Sequence, residues 1–448
     1  MRHRSSRAAT ALVALALVGG AVVPAAATPR PTVDGVWRVN GYGTVLSIAD
    51  GRLQEYQTTA VGCLEGETSE RTAQGVYRSA DGTLLTVRPT GSLEVSGSPG
   101  HRELRRLARL PAACGRPAST DAVATFDVFW QSFEENYPFF AAKGIDWHAV
   151  RDTYRPKVHA GTTRDELFAL FSEMVTPLYD AHVAVFDSDG DRHFAQVRPG
   201  TTMIGEKLDT RVKKYIVRRD LNGRRPHEFA SGRISYADLP GGRGYLRISG
   251  FGGYNPQDPS YAAQLAELDK ALDAVLTAGR TASLTGLIID LRINGGGSDA
   301  LGLHLAERLT DTAYVAYRKR TQYTRPQPIA VNPARDVPRY GGPVAVLTAG
   351  TTFSAGETFT QALIDRPGRT VRIGQNTQGV FSDTLDRALP NGMAVWLPNE
   401  EFLNRSGRTF DGAGIPPHIR TPVFTEEEFA KNRDSAFDAA VAALRGPE

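Results

Sequence analysis

The stretch LTAGTTFSAGETFTQALIDR, Leu347–Arg366, offers one serine two kinds of chemistry. Ser354 stands three residues ahead of Glu357, the spacing of a capping box, in which hydroxyl and carboxylate satisfy free N–H groups at a helix start. A serine on a sharp strand-to-helix turn is also how a hydrolase presents a nucleophile. A nucleophile needs a base, an orienting acid and N–H donors for an oxyanion. The candidate base is His182 in LYDAHVAVFD, and the candidate acid is Asp411 in RTFDGAGIPPHI. The candidate donors are Gly296 or Gly297 in RINGGG and the N–H of Ala355, with Asn294 and Glu357 in support. Each residue has a plainer reading. An isolated histidine is commonly surface or satisfied core, and His148, His159 and His304 look no different locally. Asp before Gly is common in turns. The glycine loop lacks GxxxxGK[ST] and GxGxxG, so it carries no nucleotide-binding signature.

The surrounding elements decide whether these residues can meet. PVAVL before Ser354 and GLIIDL before the glycines read as short buried strands. YAAQLAELDKALDAVLTAG and ALGLHLAERLTD read as amphipathic helices. Strand–helix alternation from about Ile234 predicts a mostly parallel sheet with right-handed crossovers. Functional groups then lie beyond the carboxyl ends of the strands, where both the glycines and Ser354 fall. FDVFWQSFEENY, DWHAVRDTYRPKV and TRDELFALFSEMVTPL predict helices before this core, the third capped by Thr163. Residues 32–115 alternate with period two between Asp-Gly, Thr-Gly and Ser-Gly turns, which predicts a small antiparallel sheet or barrel. TEEEFAKNRDSAFDAAVAAL predicts a C-terminal surface helix.

Composition limits the partners. Arg2, Arg4 and Arg7, the apolar run Ala8–Val23 and Ala25-Ala26-Ala27 have the form of a signal peptide cleaved near Ala27, which implies secretion. The run is short for a membrane span, so none is expected in the mature chain. The whole chain carries a net charge of +3, and removing the three arginines leaves it neutral, which argues against nucleic acid. Arg102, Arg105, Arg106 and Arg109 read as a solvated basic face. Cys63 and Cys114 are the only cysteines, and in an exported chain they predict a disulfide. No HExxH, CxxC or paired acidic loop calls for a metal, and no cofactor is implied.

LYDAHVAV, LIIDLRINGGG, TFSAGETFTQAL and FDGAGIPPHI, in this order, resemble the four landmark segments of the tail-specific (C-terminal processing) serine proteases. The resemblance runs from about Phe126 to Pro422 and leaves residues 32–115 outside. It implies an α/β fold: a ClpP/crotonase-like βα core with a helical subdomain before it, here preceded by a small β-rich domain. One style in the family uses a Ser–Lys dyad, but no lysine occurs between Lys319 and Lys431. The chain is closer to the tricorn-core and interphotoreceptor retinoid-binding protein branch, which pairs serine with histidine, a second serine and a glutamate. Here Ala181 stands at the second serine, Asp411 at the glutamate, and His418 where an aspartate is usual. The set reduces to Ser354, His182 and Asp411. Between Asp191 and Arg233 there is too little chain for a PDZ domain, and a shortened sheet insert is expected.

The resulting expectation is an exported serine peptidase acting on peptides or unfolded protein. The layout is a signal peptide at 1–27, a β-rich domain at 32–115, a helical subdomain at 120–190, an α/β core at 191–424 and a C-terminal helix at 425–448. The rival readings are a non-enzymatic binder of apolar ligands or peptides on the same fold, and an esterase using the same triad.

Overall fold

Period-two alternation over the first folded segment produces eight antiparallel strands. They are β1 (Gly35–Val39), β2 (Thr44–Ala49), β3 (Arg52–Thr58), β4 (Cys63–Ala73), β5 (Val76–Arg78), β6 (Leu84–Arg88), β7 (Ser92–Val95) and β8 (Arg102–Leu107). Pairing of β1 with β8 closes them into a barrel, which leaves no free edge. The computed structural model describes residues 32–445, so the expected leader lies outside the described residues. Trp37, Leu46, Leu53, Tyr77 and Leu93 fill the barrel interior. The basic cluster is not a uniform solvated face. Arg105, Arg106 and Arg109 are exposed, Arg106 lying over the Trp37 ring, but Arg102 turns in over the Tyr42 ring. The expected Cys63–Cys114 disulfide is present, and it ties the start of β4 to the turn Ala112–Gly115 by which the chain leaves the barrel.

Helices α1 (Ala122–Asn136), α2 (Phe140–Lys143), α3 (Trp147–Tyr154) and α4 (Arg164–Val175) follow. Thr163 and Glu166 form a capping box on α4, and Phe129 stacks on Phe171 at 3.9 Å between α1 and α4. Next come β9 (Ala184–Asp187), β10 (Arg192–Ala195) and α5 (Glu206–Arg219). This last helix corrects the expected sheet insert. Val212, Tyr215 and Ile216 recur at helical spacing and are buried, so the apolar stripe of TRVKKYIVRR wins.

The core then runs β11 (His227–Phe229), β12 (Ile234–Leu239), β13 (Arg243–Ile248), α6 (Tyr261–Val275), α7 (Ala278–Ser283), β14 (Gly286–Asp290) and α8 (Asp299–Glu307). It continues through β15 (Tyr314–Arg320), β16 (Gln327–Val331), β17 (Val344–Thr348), α9 (Ala355–Ala362) and β18 (Thr370–Gly374). The final elements are β19 (Thr384–Ala388), β20 (Ala394–Pro398), β21 (Glu401–Leu403), β22 (Ile419–Arg420), α10 (Glu426–Ala430) and α11 (Ser435–Ala443).

Seven strands order as β11-β12-β13-β14-β17-β18-β22, and the sheet is parallel from β13 to β22. Every residue of β14 and β17 is buried, as expected for strands covered on both faces. Leu287 and Ile289 face α6, α8 and α9, while Ile288 faces α5 and α11. A second sheet, β10-β9-β20-β19, packs on the helices, so α1 and α4 share one core with Val395 and Leu397. The C-terminal segment is not one surface helix. Asp434 breaks it by capping α11 through the Phe437 N–H at 2.9 Å, and Ala436, Phe437 and Ala440 are buried against the sheet.

Candidate active site

Strand β17 ends at Thr348, and a short turn leads to Ser354 at the start of α9. An ordinary N-cap adopts extended backbone angles. Ser354 instead has φ +52° and ψ −120°, a left-handed φ that costs a non-glycine residue about 1–3 kcal/mol. Its Oγ lies 3.0 Å from His182 Nε2. The Glu357 carboxylate accepts the Ser354 N–H at 3.2 Å, as in a capping box, but it also accepts Gly379 N–H at 2.6 Å and Val380 N–H at 2.9 Å. It therefore pins the 379–380 backbone to the serine turn. Burial raises Glu357 to about 7, against the pull of the Thr377 hydroxyl and these three N–H donors.

His182 comes from the turn between α4 and β9. Its backbone N–H donates to Asp180 Oδ1 at 3.0 Å, and its ring meets Phe353 edge-on at 5.0 Å. Burial lowers its pKa, while the Asp180 charge, the Phe381 backbone and the Asp383 charge push back up. Nδ1 is sealed from solvent and makes no hydrogen bond of good geometry, although the Phe381 backbone is close enough to favour the charged ring. The direct Asp411–His182 hydrogen bond of a simple triad is not formed. Asp411 Oδ2 accepts the Phe381 N–H at 3.1 Å, so this carboxylate reaches the imidazole's surroundings through the backbone of one residue. Asp411 Oδ1 lies 3.7 Å from Lys143 Nζ, which stands 3.7 Å from Asp180 Oδ2 as well. Tyr137 OH donates to Asp180 Oδ2 at 2.8 Å. Burial, then the nearby Asp180 charge, raise Asp411, and Lys143 opposes them.

The glycine loop follows β14. Asn294 Nδ2 donates to the Ile248 carbonyl at 3.0 Å, and its Oδ1 accepts the Gly296 N–H at 2.9 Å. That N–H is therefore committed. Gly296 serves by closeness instead, since a Cβ there would stand 2.8 Å from Ser354 Cβ. The N–H groups of Gly297 and Ala355 have no partner among the described residues. Gly297 has φ +128°, and a Cβ on it would overlap the Phe251 carbonyl oxygen.

Ser354 and His182 open on a cleft of about 730 Å³. Part of its wall is the barrel's β7–β8 turn. The Gly97 carbonyl accepts Ser298 Oγ at 2.7 Å, beside the glycine loop, and Ser98 Oγ donates to Asp383 Oδ2 at 2.6 Å. Sequence reasoning missed Lys143, Asp180, Asp383 and this turn. Asp180 carried a faint signal two residues before His182, and the others carried none. Among the described residues, no group of three or more His, Cys, Asp or Glu is arranged to hold a metal, and no helix is long and apolar enough to cross a membrane.

Residues 242–421 match the model of peptidase family S41, and residues 122–176 match that of the tricorn protease C1 domain. A comparison with curated proteins finds no match. Among solved structures, a candidate peptidase from Parabacteroides merdae ATCC 43184 superposes with a TM-score of 0.60 at 23% identity, over 73% of this chain and 98% of that one. A mutant of CPAF gives 0.52 at 12% identity, over 73% and 98%. The photosystem II D1 C-terminal processing protease gives 0.45 at 17% identity, over 68% and 94%. At these identities the first two show a likeness of fold. The matched segments and the sheet architecture together support the class of serine-type peptidases. Residues 242–421 carry a likeness to peptidase family S41, with a likeness to the tricorn C1 domain ahead of it, the same family that the four motifs resemble.

Proposed function

We propose that the protein is an exported serine peptidase in which Ser354 is the nucleophile and His182 the base. Ser354 Oγ attacks a peptide carbonyl carbon while its proton passes to His182 Nε2. The oxyanion takes hydrogen bonds from the Gly297 and Ala355 N–H groups, each worth about 3–4 kcal/mol of barrier. Nε2 then protonates the leaving amine, and water, deprotonated by the same nitrogen, releases the acyl group. Asp411 acts on this base at one remove, by fixing the Phe381 peptide, and Lys143 holds Asp411 and Asp180 together. This histidine-based machinery needs no lysine dyad, and the chain has no lysine in the usual span after the serine.

The observation that carries the reading is the 3.0 Å approach of Nε2 to Oγ, with two unspent backbone donors flanking the same serine. Export is supported by the leader-like first 27 residues and by the disulfide, a bond that persists in oxidising compartments. The test is covalent labelling of the purified protein by a fluorophosphonate, with the labelled residue mapped by mass spectrometry, alongside hydrolysis of casein, short peptides and simple esters. Label on Ser354 and cleavage of peptides are expected, and both vanish in Ser354→Ala. An unlabelled wild-type protein, or a Ser354→Ala protein that still cleaves peptides, refutes the assignment.

A further inference from the structure

Arg102 enters the cleft from the start of β8 and is the only arginine or lysine among the described residues that line it. Its guanidinium makes no hydrogen bond or ion pair with any described residue, and its Nε is sealed from solvent without a partner. The side chain is nevertheless held. Its guanidinium carbon lies 4.3 Å from the centroid of the Tyr42 ring, and the Tyr42 hydroxyl is anchored on Glu400.

Of the other charges nearby, Glu55 attracts Arg102 only from beyond ion-pair contact, and the rest have partners of their own. Lys319 pairs with Glu400 at 3.1 Å. On the cleft walls, Asp383 accepts Ser98 Oγ at 2.6 Å, Asp299 accepts Thr358 Oγ1 at 2.5 Å, and Asp81 accepts the Thr83 N–H at 2.9 Å. Arg102 is the one cation on these walls whose guanidinium has no hydrogen-bonded or ion-paired partner among the described residues. Burial works against it, but the Tyr42 ring and the Asp383 and Glu400 carboxylates, all beyond ion-pair contact, favour the charged form. A buried donor without a partner is costly, and a guanidinium offers five donors in a fork that fits a carboxylate.

We propose that Arg102 is a carboxylate-binding residue of the active-site cleft, which selects peptides bearing an acidic side chain or a free C-terminal carboxylate at that position. The barrel is then a specificity module that reads substrate, in addition to closing the cleft. This deepens the peptidase reading and rests on it.

The test compares wild type with Arg102→Gln and Arg102→Lys on two pairs of fluorogenic peptides. One pair differs only in a C-terminal carboxylate against a carboxamide. The other, amidated at the C-terminus, differs in Glu against Gln at successive positions. The wild type is expected to favour the carboxylate member of one pair, and Arg102→Gln to reduce that preference in kcat/KM about tenfold, mostly through KM. Arg102→Lys keeps the charge but loses the fork and is expected to retain only part of the preference. The pair that responds identifies the source of the carboxylate. Direct binding of the same peptides to Ser354→Ala protein, with and without Arg102→Lys, gives a second readout that needs no turnover. If the Arg102 variants leave both ratios and both affinities unchanged while wild-type Ser354 takes the fluorophosphonate, the inference falls and the peptidase reading stands. If wild-type Ser354 takes no label, the peptidase reading itself has failed.

Discussion

At the scale of residues, the site sets a charged cluster beside a buried base. Burial disfavours the imidazolium of His182, so its neutral, proton-accepting form persists below the usual histidine value of about 6.5. The acid limb of kcat/KM is expected to rise with pH and to level off below pH 6.5. A profile still climbing above pH 7 would contradict this. Lys143 faces two carboxylates, and Tyr137 OH bonds one of them. In Lys143→Met, Asp180 and Asp411 lose their shared cation, an expected cost of about 3 kcal/mol near neutral pH. Asp411 is already raised in the folded state, and losing Lys143 raises it further. A carboxyl raised on folding stabilises the protein below its unfolded pKa and loses that contribution as pH climbs through the folded one. The variant should therefore recover stability as pH falls toward 5, which urea unfolding at pH 5 and pH 8 measures. Ser354 was legible from its immediate neighbours. Lys143 was not, because its partners lie some 40 and 270 residues further along the chain and no local spacing marks them.

At the scale of elements, two turns decide whether the serine can act. Gly297→Ala puts a Cβ into the Phe251 carbonyl at a φ of +128°, so the loop must shift and withdraw its free N–H. A loss of about 100-fold in kcat is expected, with fluorophosphonate labelling slowed in parallel. Glu357→Ala strands the buried N–H groups of Gly379 and Val380 and is expected to cost about 2–4 kcal/mol in thermal or urea unfolding. These elements were readable because their signals are local: buried apolar strands, glycines and a cap spacing. The helix α5 was misread as a sheet insert, although Val212, Tyr215 and Ile216 already followed a helical period. The missing Asp411–His182 bond had no sequence signal, since it depends on where the Phe381 peptide falls between them.

At the scale of the whole molecule, the barrel lines the cleft, and the C-terminal helix braces the strand end from which the glycine loop leaves. Arg292, fully buried just before the glycine loop, pairs with Asp290 and with Asp434 at the cap of α11. Asp434→Ala leaves that guanidinium half-paired and is expected to destabilise the fold by about 3–5 kcal/mol, read by unfolding in urea. The general architecture was legible from strand–helix alternation, but the docking of the barrel turn on Ser298 and Asp383 was not, because it joins segments some 200 and 285 residues apart. The bridge between Cys63 and Cys114 fastens the same barrel elsewhere, at the turn by which the chain leaves it. Protein prepared in a reducing cytoplasm would keep its nucleophile and its donors but lose the staple at the barrel's exit. Two preparations with the same active-serine titre would then differ in how readily the barrel opens, so redox history belongs beside any measured melting point.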